Sequence, residues 1–196
     1  MLLFISSQVI YEDYEESDMV IPYIPGFLAF REVQPLQTLY QRLKKRHPEL
    51  LPQVLFVDGN GILHPRKFGL ASHLGVLLNI PTIGVGKNFL VINDGLQREM
   101  DYVKQECKRR IQDSIKKHGV VKIGEVLRLV GECGFVYGAA VIPSVHVRHP
   151  IFVSQGHRIS LNTAVALTLS CCKFRVPEPI RQADLRTRDY LRRNPI

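Results

Sequence analysis

Several short stretches of the chain collect residue types able to work on a phosphodiester. The run QVLFVDG (53–59) is apolar until it ends in Asp58 and Gly59, with Asn60 and Gly61 following. Such a run reads as a buried, parallel strand. In open α/β sheets ligands bind at the carboxyl ends of the strands, and glycines there let backbone N–H groups come close to a ligand. For the Asp-Gly pair alone, a plain turn is the competing reading. Six residues past Asp58, His64-Pro65-Arg66-Lys67 adds an imidazole and two cations to the same loop. These groups suit phosphate oxygens.

Glu32 closes the stretch PYIPGFLAFRE (22–32). It reads either as a solvated acid in a first helical turn or as a hard oxygen ligand. Mg²⁺ takes a few carboxylates from separate elements and keeps several waters, and Glu32 with Asp58 meets that need. Lys87 follows TIGVG (82–86) at the same kind of strand end as Asp58. It could hold a phosphate or polarise an attacking water; a snorkelling surface lysine is the plain alternative. His157, in SQGHRIS, follows a strand and precedes a helix, where a lone imidazole is more often structural than catalytic. No Gly-x-Ser-x-Gly elbow occurs, and the glycines before Lys87 lack P-loop spacing, so serine hydrolase and nucleoside triphosphatase chemistry are set aside.

Positioning these groups requires a sheet. With 196 residues and 45% hydrophobic composition the chain makes one domain, 1–196. FGLASHLGVLLNI (68–80) has helical spacing and stops before Pro81, so 53–86 reads as β-α-β. A helix through LQTLYQRLKKRHPEL starts at Pro35, and a charged amphipathic helix covers 96–119 with Gly119 as its stop. FVYGAAVIP and PIFVSQG read as two strands, followed by a helix over 160–173 and a Pro-bounded basic tail. The pattern predicts a single mixed α/β sheet.

Charge separates along the chain. The net charge is +8, but residues 1–19 hold five acids and no Lys or Arg, which leaves +13 on residues 20–196. A basic body favours a polyanion such as nucleic acid over an ordinary cationic surface only in combination with a site. Cys107, Cys133, Cys171 and Cys172 make neither a zinc ribbon nor a disulfide framework and read as reduced thiols, the adjacent pair as small buried hydrophobes. MLLFI has no basic flank and no cleavage site, and no run of eighteen apolar residues occurs. A soluble intracellular protein is expected.

PYIPGFLAFRE, VDGNG-x-x-HPRKFGLASHLG, PTIGVGK, IFVSQGH and FRVPEPIRQAD, in that order, closely resemble the endonuclease V family, the deoxyinosine and inosine 3′ endonucleases. The resemblance runs from about residue 8 to residue 190. It implies an RNase H-like mixed sheet flanked by helices. It also implies Mg²⁺-dependent hydrolysis, with Mn²⁺ able to substitute, at the second phosphodiester bond 3′ to hypoxanthine, leaving 3′-hydroxyl and 5′-phosphate ends. Carried over by position, metal ligands fall on Glu32, Asp58 and His157, the phosphate-side lysine on Lys87, and a loop histidine near the scissile backbone on His64. The wedge falls on Pro22, Tyr23, Ile24 and Pro25, and the hypoxanthine pocket on Gly26, Leu28, Gly59, Leu70 and Leu90. Physics agrees with a wedge: an aromatic ring stacking on a base gains about 1–3 kcal/mol, which offsets the unstacking of a flipped nucleotide.

The resemblance also exposes a departure. Family members carry a further metal-binding Asp in an early strand with a pattern like Val-Asp-Val-Ser, and no such strand is in this sequence. The expectation is a shortened chain lacking the first strands of the fold, either an active endonuclease or a catalytically impaired inosine- and nucleic-acid-binding fragment. The Cys171-Cys172 pair and the long 93–128 insertion resemble animal members. That resemblance implies inosine-containing single-stranded RNA as the leading substrate, deoxyinosine DNA as the second, a monomer without membrane partners, and a cytoplasmic and nuclear location, the nucleolus included.

Overall fold

A computed structural model describes residues 1–5, 8–17, 22, 24, 26–94, 96, 102–103, 105–107, 109–110, 112–113, 116, 125–143, 147 and 149–195. Its centre is a five-stranded sheet in the order β3-β4-β7-β6-β5, with β3 Leu55–Asp58, β4 Thr82–Gly86, β5 Glu125–Val130, β6 Val136–Ile142 and β7 Ile151–His157. β3 and β4 are parallel and the other pairs antiparallel. A separate hairpin is formed by β1 Leu2–Ile5 and β2 Gln8–Glu12. Among the described residues four continuous α-helices accompany them: α1 Leu28–Arg46, α2 Leu70–Leu78, α3 Leu161–Ser170 and α4 Glu178–Arg193. The described residues between 102 and 116 are helical as well; Gly119 lies outside the described residues.

Strand alternation sorts the core onto two faces. Ile83 and Val85 of β4, Val141 of β6 and Val153 of β7 pack with Ala164, Val165 and Ile180 beneath α3 and α4. On the opposite face Val57 packs with Ala29 and Val33 of α1 and with Leu70, Ala71 and Leu74 of α2. Two glycines set the spacing of this second face. A Cβ on Gly61 would lie 1.9 Å from the Gln155 carbonyl oxygen, and one on Gly84 would lie 2.3 Å from the Gly61 nitrogen. Only bare backbone lets the loop after β3 lie across β4 and β7.

Three elements differ from the sequence expectation. α1 begins at Leu28 rather than at Pro35, which sits inside the helix. A proline there removes one backbone hydrogen bond, yet Ala29 and Val33 ahead of it are buried in the core, so packing outweighs the local penalty. The basic tail is helix α4; its apolar residues are sparse, and it is laced by pairs such as Arg181–Glu178 at 2.7 Å and Arg193–Asp189 at 2.7 Å. β5 was not anticipated either, because EVLRLV makes an edge strand with Arg128 exposed rather than a continuous apolar run.

The acidic run at the start of the chain finds its counter-ions within the fold. Asp13 pairs with Arg42 of α1 at 3.0 Å, Glu15 pairs with the same guanidinium, and Glu12 pairs with Arg186 of α4. Tyr14 stacks on Tyr190 at 4.4 Å, and the Tyr190 hydroxyl donates to Glu16 at 2.7 Å. These contacts tie the end of the β1–β2 hairpin to α1 and α4. Among the described residues no strand pairs with the outer edge of β3. Between that edge, the hairpin, α1 and α4 lies a largely apolar cavity of about 950 Å³. No helix among the described residues is long and apolar enough to cross a membrane.

Candidate active site

β3 and β4 run parallel with Asp58 opposite Val85, so both strands end on the same rim. Asp58 leaves β3 exposed, and the Lys87 Nζ, just beyond β4, donates to its Oδ2 at 2.7 Å. Arg175, from the segment between α3 and α4, donates through Nη2 to the carbonyl oxygens of Lys87 and of Pro150, the latter at 3.1 Å. It thereby anchors the backbone from which Lys87 projects. Neither Arg175 nor its role was singled out in the sequence; FRVPEP marked only the segment.

Glu32 sits one helical turn into α1 and lines the cavity together with Asp58. Its carboxyl is shifted upward, chiefly by burial; the Arg31 charge opposes this and the Asp58 charge adds to it. The two carboxylates line one cavity, and their charges oppose each other there. Asp184 of α4 lines the same cavity and pairs with Arg188 at 3.0 Å. Sequence reading missed Asp184: FRVPEPIRQAD reads as a Pro-bounded basic tail, in which one acid among many arginines does not stand out. Only the fold brings α4 under the face toward which Asp58 alternates, that of Val85.

His157 goes elsewhere. It is registered with Thr82, three residues before Val85, which is about 10 Å along the sheet from the Asp58 row. A Cβ on Gly75 of α2 would lie 2.4 Å from the His157 Cβ, so His157 packs against α2, on the face opposite the one beneath α3 and α4. The structure does not bring His157 to Glu32 and Asp58. The periodicity that made it a strand-end residue was read correctly, but it lies at the wrong end of the sheet.

The loop after β3 is firmly held. Gly61 N donates to Ser154 Oγ at 2.9 Å, Ile62 N to the Gln155 carbonyl at 2.8 Å, and Ala71 N to the Asn60 carbonyl at 3.0 Å. His64 is buried in it, and its Nδ1 accepts from Arg66 N at 3.2 Å. Burial, then the Arg66 charge, holds its imidazole below the ordinary histidine range. Arg66 Nη1 donates to the Gly26 carbonyl at 2.9 Å, and Gly26 takes a left-handed φ of 79° that suits glycine. Leu70 lies against Gly59, 3.3 Å from where a Cβ would stand. Leu90 is half-buried, and Pro22 and Ile24 are exposed. Tyr23, Pro25 and the side chain of Leu28 lie outside the described residues.

The donors near this rim are carboxylate oxygens, one of them half-buried beside another, which is the setting a hard divalent cation relieves. Among the described residues, no three His, Cys, Asp or Glu side chains already converge as a metal cluster. Asn60 Oδ1 is buried in the same loop without a hydrogen-bond partner.

Comparison with known proteins bears on this geometry. The family model for endonuclease V matches residues 1–185. Mouse endonuclease V is 47% identical over 189 residues, which is 95% of this chain and 52% of that protein, and human endonuclease V is 43% identical, covering 99% and 64%. The chain thus spans between half and two thirds of the length of these relatives. The crystal structure of the human protein superposes with a TM-score of 0.86 over 96% of this chain and 74% of that one. A Ciona intestinalis endonuclease V, solved with a DNA containing an inosine followed by a ribo-adenosine, gives 0.84 at 39% identity over 95% and 74%. The mixed sheet flanked by helices is the RNase H-like fold of those neighbours, and the chain belongs to the endonuclease V family.

Proposed function

We propose that this chain is the core of a divalent-metal-dependent nuclease directed at inosine in nucleic acid. The observation that carries the reading is the shared rim of β3 and β4, where Asp58 and Lys87 meet at 2.7 Å and Glu32 approaches from α1. Membership of the family supports the same assignment, as does the inosine-containing DNA bound by the Ciona relative. Asp58 and Glu32 would hold Mg²⁺ or Mn²⁺, with Asp184 as a further carboxylate on the same cavity. The bound ion supplies Lewis-acid stabilisation of phosphate charge and a more acidic water.

The chain's own residues do the rest. Lys87 neutralises the Asp58 carboxylate and offers a cation to a phosphate oxygen. Arg66 clamps Gly26, the start of the proposed hypoxanthine pocket with Leu28, Gly59, Leu70 and Leu90, to the loop carrying His64. Pro22 to Pro25 carry Tyr23 as the wedge that fills the gap of a flipped base. Single-stranded RNA is the favoured substrate because it avoids opening a duplex. The bond cut is the second 3′ to the hypoxanthine nucleotide.

The cavity beside β3 favours a second reading: a chain that recognises inosine but cuts poorly. One assay separates them. The protein is incubated with single-stranded RNA carrying one inosine, or adenosine in its place, in Mg²⁺, Mn²⁺ or EDTA, and products and equilibrium binding are both measured. Metal-dependent cutting of the inosine strand alone supports the enzyme. Selective binding without product selects the second reading, and absence of any inosine preference sinks both.

A further inference from the structure

A row of rings, its three phenylalanines exposed and its histidine half-buried, leaves the candidate site on its outer side. Arg66, whose Nη1 is bound to the Gly26 carbonyl, lies 3.8 Å from the centroid of Phe27. Phe27 is followed by Phe30 at 6.0 Å, Phe30 by His73 of α2 at 5.2 Å, and His73 by Phe68 at 5.7 Å. Large aromatic side chains are normally covered, yet Phe27, Phe30 and Phe68 are 40%, 59% and 45% exposed. Phe27, the N-cap of α1, and Phe30, in its first turn, pack together at 6.0 Å, whereas Glu32 faces the cavity. The row is therefore distinct from the metal-side rim, while Arg66 and Gly26 join the two.

The chemistry of the row selects its occupant. Its only charged or titratable groups are the Arg66 guanidinium and the His73 imidazole, and among the described residues no carboxylate pairs with Arg66. Successive ring centres 5–6 Å apart suit bases of an extended single strand, since every base offers a π-face and Arg adds phosphate contact or cation–π attraction. The body that carries the row is strongly basic.

We propose that Phe27, Phe30, His73 and Phe68, with Arg66, form a stacking platform for single-stranded nucleic acid beyond the scissile nucleotides. This rests on the reading of the chain as a nucleic-acid-directed protein but not on its being able to cut. The platform holds flanking bases without regard to their identity and so sets the length of strand the protein grips, while recognition of inosine stays with the site.

The test is binding in EDTA, by fluorescence anisotropy, to end-labelled single-stranded RNAs of ~6 and ~20 nucleotides, each with a central inosine or adenosine. The wild-type chain should bind the long strand more tightly than net charge explains at raised salt. The double variant Phe30→Ala/Phe68→Ala should lose about tenfold or more on the long strand and less than about twofold on the short one, with the same loss for inosine and adenosine. Phe30→Leu/Phe68→Leu keeps an apolar surface without a π-face and should lose nearly as much, whereas Phe30→Tyr/Phe68→Tyr should bind like wild type. Equal losses on both lengths, or full affinity in the leucine variant, would overturn the platform. So would self-association of the wild-type chain that the double alanine variant abolishes, because the row would then be a protein contact. Loss of inosine preference in every variant, wild type included, would count against the nuclease reading and leave the platform standing.

Discussion

The two ends of β4 carry similar kinds of residue and have different fates. At the Gly86 end stand Lys87 and, across the pair, Asp58, exposed and in contact at 2.7 Å with Glu32 nearby. At the Thr82 end stands His157, registered opposite Thr82 and packed against Gly75 of α2, while the Thr82 hydroxyl donates to the Ala71 carbonyl at 2.7 Å. One end leaves polar groups unpaired by helices, and the other is closed by a helix lying directly on it. Parallel strands explain the difference: the connection between β3 and β4 must return through α2, which covers the starting edge of β4 and leaves the carboxyl edge open.

This contrast can be broken by substitution. Asp58→Asn should reduce metal-dependent cleavage by about 10²- to 10³-fold with near-normal thermal stability, whereas His157→Ala should leave cleavage within a few-fold of wild type. Comparable losses from both changes would mean that the two ends work together after all. Lys87→Met should lower cleavage by about 10- to 100-fold, with the loss in turnover rather than in equilibrium RNA affinity. Arg175→Gln, which frees the backbone behind Lys87, should give a smaller loss of about fivefold to tenfold; a Lys87→Met/Arg175→Gln double variant no worse than Lys87→Met alone would assign the effect to positioning.

At the covered end the readout is stability. Gly75→Ala would place a Cβ 2.4 Å from both the His157 Cβ and the Thr82 Oγ1, so a chemical-denaturation midpoint should fall by the equivalent of ~1–3 kcal/mol. This outweighs the helix-propensity gain of ~1 kcal/mol that alanine brings to an open helix. If the substitution stabilises the protein, α2 is not clamped on that end of the sheet, and the structural assignment of His157 fails with it.

Much of the layout was legible because it rests on local rules. TIGVG and the end of QVLFVDG announced β4 and β3, and the glycines after Asp58 marked a tight loop, since continuous apolar runs and Gly-rich turns carry their geometry with them. Asp58 ends β3 and Lys87 follows β4, where those patterns put them, whereas Glu32 lies one turn inside α1, a helix whose start the sequence put at Pro35. His157 ended a strand equally clearly, but local pattern does not say which end of the sheet a strand finishes on. That depends on β7 running antiparallel to β4, a non-local pairing.

By itself, the sequence determined the alternation of strands and helices, the basic body and the carboxylate that ends β3. These follow from backbone preference and hydrophobic period, which act over a few residues. Tertiary structure alone decided that α4 is a helix under the Asp58 face with Asp184 on the same cavity, and that the acidic start is neutralised by Arg42 and Arg186. Each of those outcomes depends on which surfaces meet across more than a hundred residues of chain, or on counter-ions supplied by a different element, and neither is written in any single segment.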